Sequence, residues 1–169
     1  MNILLKSVVI SGLAVLAVLN FAGCSNEELS SEQIAQMKPE TYARTLSGLV
    51  RKASYVGVTL ELQLDSKMSG GKQDWNGFAG DIGRVAPGIL KNKPEIKRLF
   101  IKAYDDSLGL DWGHFIIKRQ ELPANWQGAT YLQLFSLGSA TAGTLQAQGT
   151  LCDFYRAYET ARPRGGTNC

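Results

Sequence analysis

Val56-Gly57-Val58-Thr59-Leu60-Glu61-Leu62-Gln63-Leu64 is the stretch whose reading decides the fold. Its apolar side chains fall on even numbers, while Gly, Thr, Glu and Gln fall on odd ones. That is the period of a strand with one face on a core and the other toward solvent. A sheet with one covered face follows, and the flanking segments must supply the cover.

Upstream, Pro39 suits the first turn of a helix, and Tyr42, Leu46, Leu49 and Val50 recur at helical spacing, which predicts a helix from Pro39 to Lys52. Ser30 and Gln33 have capping-box spacing and predict a short helix before it. Downstream, Asp65 to Gln73 is rich in Ser, Gly and Lys and reads as an exposed loop. Asp74 then caps a helix whose Phe78, Ile82, Val85 and Ile89 form one apolar stripe. Gly77, Gly80, Gly83 and Gly88 each cost about 1 kcal/mol relative to Ala in a helix interior. Either another backbone packs very close to this helix, or Pro87 kinks or ends it.

The runs Arg98 to Tyr104 and Leu110 to Lys118 are strand-like, and Asp105 to Gly109 joins them as a β-hairpin, with Gly113 marking a bulge. Beyond Pro123, Ala129 to Leu137 has helical spacing and Gly138 to Gly143 is a small-residue loop. A closing helix runs from about Thr150 to Ala161 and stops before Pro163. Together these segments predict one α+β domain over residues 39–169. Its core is a small three-stranded, mainly antiparallel sheet with helices packed on one face and a helical C-terminal part.

Templates for chemistry fit poorly. His114 is the sole histidine, and a triad of Ser136 or Ser139 with His114 and Asp111 lacks the G-x-S-x-G elbow that presents such a serine. A zinc site needs more nitrogen and sulfur ligands than are available. Asp105, Asp106 and Asp111 crowd one hairpin tip without the alternating acids, central Gly and distal Glu of a calcium loop. Gly70-Gly71-Lys72 has Gln73 where a phosphate loop needs Ser or Thr. Glu61, Asp74 and Glu121 have no spacing that makes a carboxylate pair. The resulting expectation is a protein without catalytic residues, metal or cofactor. The aromatic residues remain: Trp75, Trp112 and Trp126, with Tyr104 and Tyr131, fall near element ends or on the hairpin. They either close the core or form a recognition surface, for which Trp75, Trp112, Trp126 and Tyr104 are the candidates.

Residues 1–24 are of a different kind. Lys6 precedes an apolar run from Val8 to Leu19, followed by Asn20-Phe21-Ala22-Gly23-Cys24. This is the layout of an export signal, too short for a comfortable bilayer span. Phe21-Ala22-Gly23-Cys24 resembles the lipobox of bacterial lipoproteins, although that family prefers Leu where Phe21 stands. The resemblance implies cleavage before Cys24, a diacylglyceryl group on its sulfur and an acylated new amino terminus. Residues 1–23 are then a signal peptide, and the polar residues 24–38 a tether. Ser25 in place of Asp resembles the pattern that sends such lipoproteins to the outer membrane, which implies the periplasmic face of that membrane. General signal-peptidase cleavage favours A-x-A-like spacing, which neither Asn20-x-Ala22 nor Phe21-x-Gly23 supplies.

The whole chain carries 18 Lys and Arg against 15 Asp and Glu, and Lys6 is lost with the signal. Such a balance argues against electrostatic capture of nucleic acid, so membrane lipid would be engaged through acylated Cys24. Of the three cysteines, Cys152 and Cys169 then remain, either bridged as a disulfide or as two thiols. The expected function is a lipid-anchored periplasmic module that binds an envelope protein, as an accessory part of a secretion or conjugation assembly. The alternatives are a periplasmic immunity or inhibitor lipoprotein, and a lipoprotein that binds a small ligand or the cell wall.

Overall fold

The structure is a computed structural model that describes residues 29–65, 74–105, 110–163 and 169, with residues 105, 110 and 111 described through their backbone alone. Its elements in chain order are α1 (Ser31–Gln36), α2 (Pro39–Leu46), β1 (Val50–Val56), β2 (Thr59–Asp65), α3 (Trp75–Asn92), β3 (Arg98–Asp105), β4 (Leu110–Lys118), α4 (Tyr131–Ser136), β5 (Ser139–Ala142) and α5 (Leu145–Ala157). Short 3-10 turns occur at Arg119–Glu121, Trp126–Gly128 and Glu159–Ala161.

The strands form one five-stranded mixed sheet in the order β1-β2-β3-β4-β5. The fold remains α+β, but the expected three-stranded, mainly antiparallel sheet is wrong in strand number and character. β1 was hidden because Tyr42, Leu46, Leu49 and Val50 keep helical spacing while the backbone leaves α2 at Ser47, where φ is −160°. The alternating run is itself split: Gly57, at φ 60°, turns the chain between β1 and β2, and Val56 pairs with Thr59. β5 was hidden because Ser139-Ala-Thr-Ala142 reads as a small-residue loop, yet it pairs antiparallel with β4 from Gly113↔Ala142 to Ile116↔Ser139. The mixed character comes from α3, which carries the chain back along the sheet so that β3 runs parallel to β2, Leu60 beside Leu99 and Leu64 beside Ala103.

One sheet face is the core. Leu60, Leu62 and Leu64 of β2, Leu99, Ile101 and Ala103 of β3, and Phe115 and Ile117 of β4 are fully buried. Against them α3 buries Trp75, Phe78, Ile82, Val85 and Ile89. This helix is continuous through Pro87, so close approach is the reading that holds. A Cβ on Gly83 would lie 2.5 Å from the Tyr131 Cβ, and one on Gly88 2.8 Å from Leu46 Cδ2, so these two glycines admit α4 and the end of α2. Phe135 of α4 is the hub of an aromatic cluster, stacked on Phe115 at 5.0 Å between ring centroids and edge-on to Phe154 at 5.4 Å. The expected bulge exists, with the register shifting between Ala103 and Tyr104. Trp112 is the extra residue on β4, and its indole lies 4.6 Å from that of Trp75.

Two buried polar groups carry most of the remaining interest. The Lys93 ammonium, at the C-terminal end of α3, donates to the carbonyls of Ile34 (2.6 Å), Ala35 (3.4 Å) and Met37. These belong to the last turn of α1 and to Met37, which caps it; the helix has no buried residue of its own. Tyr155 in α5 has a buried hydroxyl with no hydrogen-bond partner among the described residues. Burial pushes its phenol up to about 12. The fold tolerates only the neutral form, so stability should fall as pH rises from about 10, where an unfolded tyrosine ionises, toward 12. Tyr155→Phe is expected to raise stability by about 1 kcal/mol at neutral pH, by removing an unpaired buried hydroxyl. It should also flatten this tyrosine's share of the alkaline loss, as urea melts at pH 7 and pH 11 would show.

Candidate functional site

Nothing among the described residues covers the second sheet face. It is built by strict alternation: with Leu60, Leu99 and Phe115 turned to the core, their neighbours must face away. Glu61 and Gln63 of β2, Arg98, Phe100, Lys102 and Tyr104 of β3, and His114, Ile116 and Lys118 of β4 therefore share this surface, and none of them is fully buried. Cross-strand register makes Phe100 the middle of it, with Glu61 on one side and Ile116 on the other. The Phe100 ring lies 5.0 Å from the His114 ring. The Lys102 ammonium stands 5.1 Å from its centroid and the Arg98 guanidinium 5.9 Å, both within reach of cation–π attraction. Lys102 also pairs with Glu61 at 2.6 Å, and Lys118 with Glu121 at 2.8 Å. The result is an aromatic and aliphatic strip bordered by cations.

A second concavity lies where the Trp126–Gly128 turn meets α4. It is a cleft of about 410 Å³ lined by Pro123, Asn125, Trp126, Gln133, Ser136 and Leu137, among others.

The four aromatic candidates separate. Trp75 and Trp112 are core residues, 1% and 7% exposed, and the Trp75 indole donates to the Ala147 carbonyl at 2.9 Å. They present no surface. Tyr104 lies on the uncovered sheet face, and Trp126 lines the cleft, partly buried. Tyr104 therefore shares a sheet face with Phe100 and His114 and not with the tryptophans. Phe100 was missed because sequence alone gave no means of telling which side of its strand would be covered. Lipidation at Cys24 and the signal segment lie outside the described residues. So do Gly70-Gly71-Lys72, Asp106, and the side chains of Asp105 and Asp111.

Cys152 and Cys169 are joined in the structure as a disulfide, with a Cα–Cα distance of 5.3 Å. The acids weighed as catalytic pairs are dispersed: the Asp74 carboxylate accepts from the Gly77 amide to cap α3, while Glu61 and Glu121 are held by lysines on different strands. Asp81 is a buried acid that the sequence did not flag. Burial raises its pKa, Arg84 at 3.4 Å lowers it and nearby Asp74 raises it. Among the described residues no three His, Cys, Asp or Glu gather in a way that would hold a metal ion, and no helix is long and apolar enough to cross a membrane.

The fold and these surfaces define an α+β domain with one helix-covered sheet face and a second that no described residue covers. No family model, curated protein or solved structure matches the chain.

Proposed function

We propose that this chain is a lipid-anchored periplasmic module that binds an envelope protein through its uncovered sheet face. The observation that carries this reading is the Phe100 strip. A centre of Phe100 and Ile116 with the His114 ring beside it, bordered by Arg98, Lys102, Lys118 and Glu61, has the anatomy of an interface, with anchors inside and a charged rim. With Glu61 on Lys102 and Glu121 on Lys118, the rim carries both signs and favours a partner surface of mixed charge around an apolar patch. The lipobox-like Phe21-Ala22-Gly23-Cys24 supplies the anchor, and a Cys152–Cys169 bridge suits an oxidising compartment.

The test replaces Phe100 with Asp in the full-length protein and places a photo-crosslinking residue at position 114. The native protein should crosslink to a defined envelope protein, and Phe100→Asp should reduce that product at least tenfold without changing the far-UV spectrum. An unchanged yield in the variant would overturn the assignment of this face. One small soluble partner in a stoichiometric complex would select the immunity or inhibitor role, and several membrane subunits the assembly role. Mass spectrometry of the membrane fraction tests the anchor: a chain that begins at Met1, or one without fatty acid on Cys24, would refute it.

A further inference from the structure

The cleft beside Trp126 belongs to a different surface from the Phe100 strip, and its chemistry selects a different ligand. No charged side chain lines it. A phosphate, carboxylate or ammonium entering it would shed water and find no counter-charge. An aliphatic ligand would make no use of the polar side chains of Asn125, Gln133 and Ser136. What suits an indole face, two amides and a hydroxyl is a neutral ring with one apolar face and hydroxyls at its edge.

The polar groups of the cleft are held in place by the chain itself. The Gln133 side-chain oxygen accepts from the Thr130 amide at 2.9 Å in the capping box of α4, so its nitrogen is the end left to donate. The Ser136 hydroxyl donates to the Gln133 carbonyl at 2.7 Å, which leaves its oxygen to accept. The backbone amides of Trp126, Gly128 and Ala129 are already used within the turn, so recognition falls to side chains. Trp126 packs on the hydrophobic core, lines the cleft and is only partly buried, which leaves part of its side chain open to a ligand. A volume of about 410 Å³ lies within the ~300–1,000 Å³ usual for small-molecule sites.

We infer that this cleft is a binding site for an uncharged saccharide. One pyranose ring stacks on the Trp126 indole, and its hydroxyls bond the Gln133 amide nitrogen, the Asn125 amide and the Ser136 oxygen. Its chemistry is shared by the N-acetylated glycan of a cell wall and by glucose polymers, so the experiment carries both. Full-length protein, held in micelles of a detergent without a sugar headgroup, is labelled with 15N in its indoles and titrated separately with chitotriose and maltotriose. At least one sugar should shift the Trp126 indole signal saturably below about 10 mM, while the signal of Trp75, whose indole is engaged with Ala147, stays fixed. Which sugar does so identifies the class. Asn125 is exposed, so Asn125→Ala should leave the fold intact and weaken binding at least fivefold. Trp126→Phe should retain partial binding, with Gln133→Ala weakening it further. No Trp126 shift with either sugar, or equal affinity in Asn125→Ala, would overturn the inference.

Discussion

Gly138→Ala should destabilise the domain by about 3 kcal/mol, the upper end of what overpacking a close-fitted core costs. A Cβ at this position would lie 2.2 Å from Phe115 Cζ, 2.4 Å from Phe115 Cε2 and 2.5 Å from the Ile116 carbonyl oxygen. Neither neighbour can yield cheaply. Phe115 is stacked on the Phe135 hub, and the Ile116 carbonyl belongs to β4 at the position where β5 pairs with it. Moving either one disturbs the aromatic cluster or peels β5 from the sheet edge. Gly149 is the control. It is exposed within α5 and a Cβ there meets nothing within 4 Å, so Gly149→Ala should stabilise by about 0.5–1 kcal/mol through helix propensity. Urea melts of the two variants should therefore shift in opposite directions. A Gly138→Ala midpoint equal to that of the native chain would contradict the packing described.

Lys93→Met should release α1 while leaving the sheet in place. Lys93 is 1% exposed, and a buried ammonium is tolerated only where it is well bonded. Here it meets three carbonyls at the negative end of a short helix. Hydrogen bonds to a charged group contribute about 1.5–3 kcal/mol, and α1 contributes no buried side chain to replace them. Methionine keeps the apolar stem beside Tyr42 but cannot donate; the Ile34 carbonyl keeps the Met37 amide, while those of Ala35 and Met37 regain partners only by turning to water. Amide exchange in residues 31–37 should accelerate by tenfold or more, with residues 60–64 and 99–103 changed far less. Unchanged exchange in 31–37 would show that something other than the lysine holds the helix.

How much of this was legible in the sequence follows from where local pattern and tertiary demand agree. The Leu60, Leu62, Leu64 alternation, the β3–β4 hairpin, the Asp74 cap and the Ser30 capping box are local signals, and each reappears in the structure. β1 and β5 are edge strands, where weak patterning is tolerated because a single neighbour completes the pairing. In β1 a register shift between Val50 and Lys52 further breaks the alternation. Gly138 and Gly143 around β5 suggested a loop because the reason for Gly138, a phenyl ring against its α-carbon, lies 23 residues away in Phe115. The candidate surfaces were less legible still. Phe100 and Trp75 are both aromatic residues at strand or helix positions, and only the side of the sheet that α3 occupies decides which of them meets solvent.

The parallel seam between β2 and β3 has a consequence for the order of assembly. The β1–β2 and β3–β4 ladders each close across a short turn or loop, whereas β2 meets β3 only after α3 has spanned the sheet. Closing that larger loop carries an entropy cost which nearby contacts cannot offset. From topology, the chain is expected to approach its native state as two ribbons linked by one helix. The apolar rows of Leu60 to Leu64 and Leu99 to Ala103, which pair across that seam, should then be the last brought side by side and, until then, open to mispairing with another molecule.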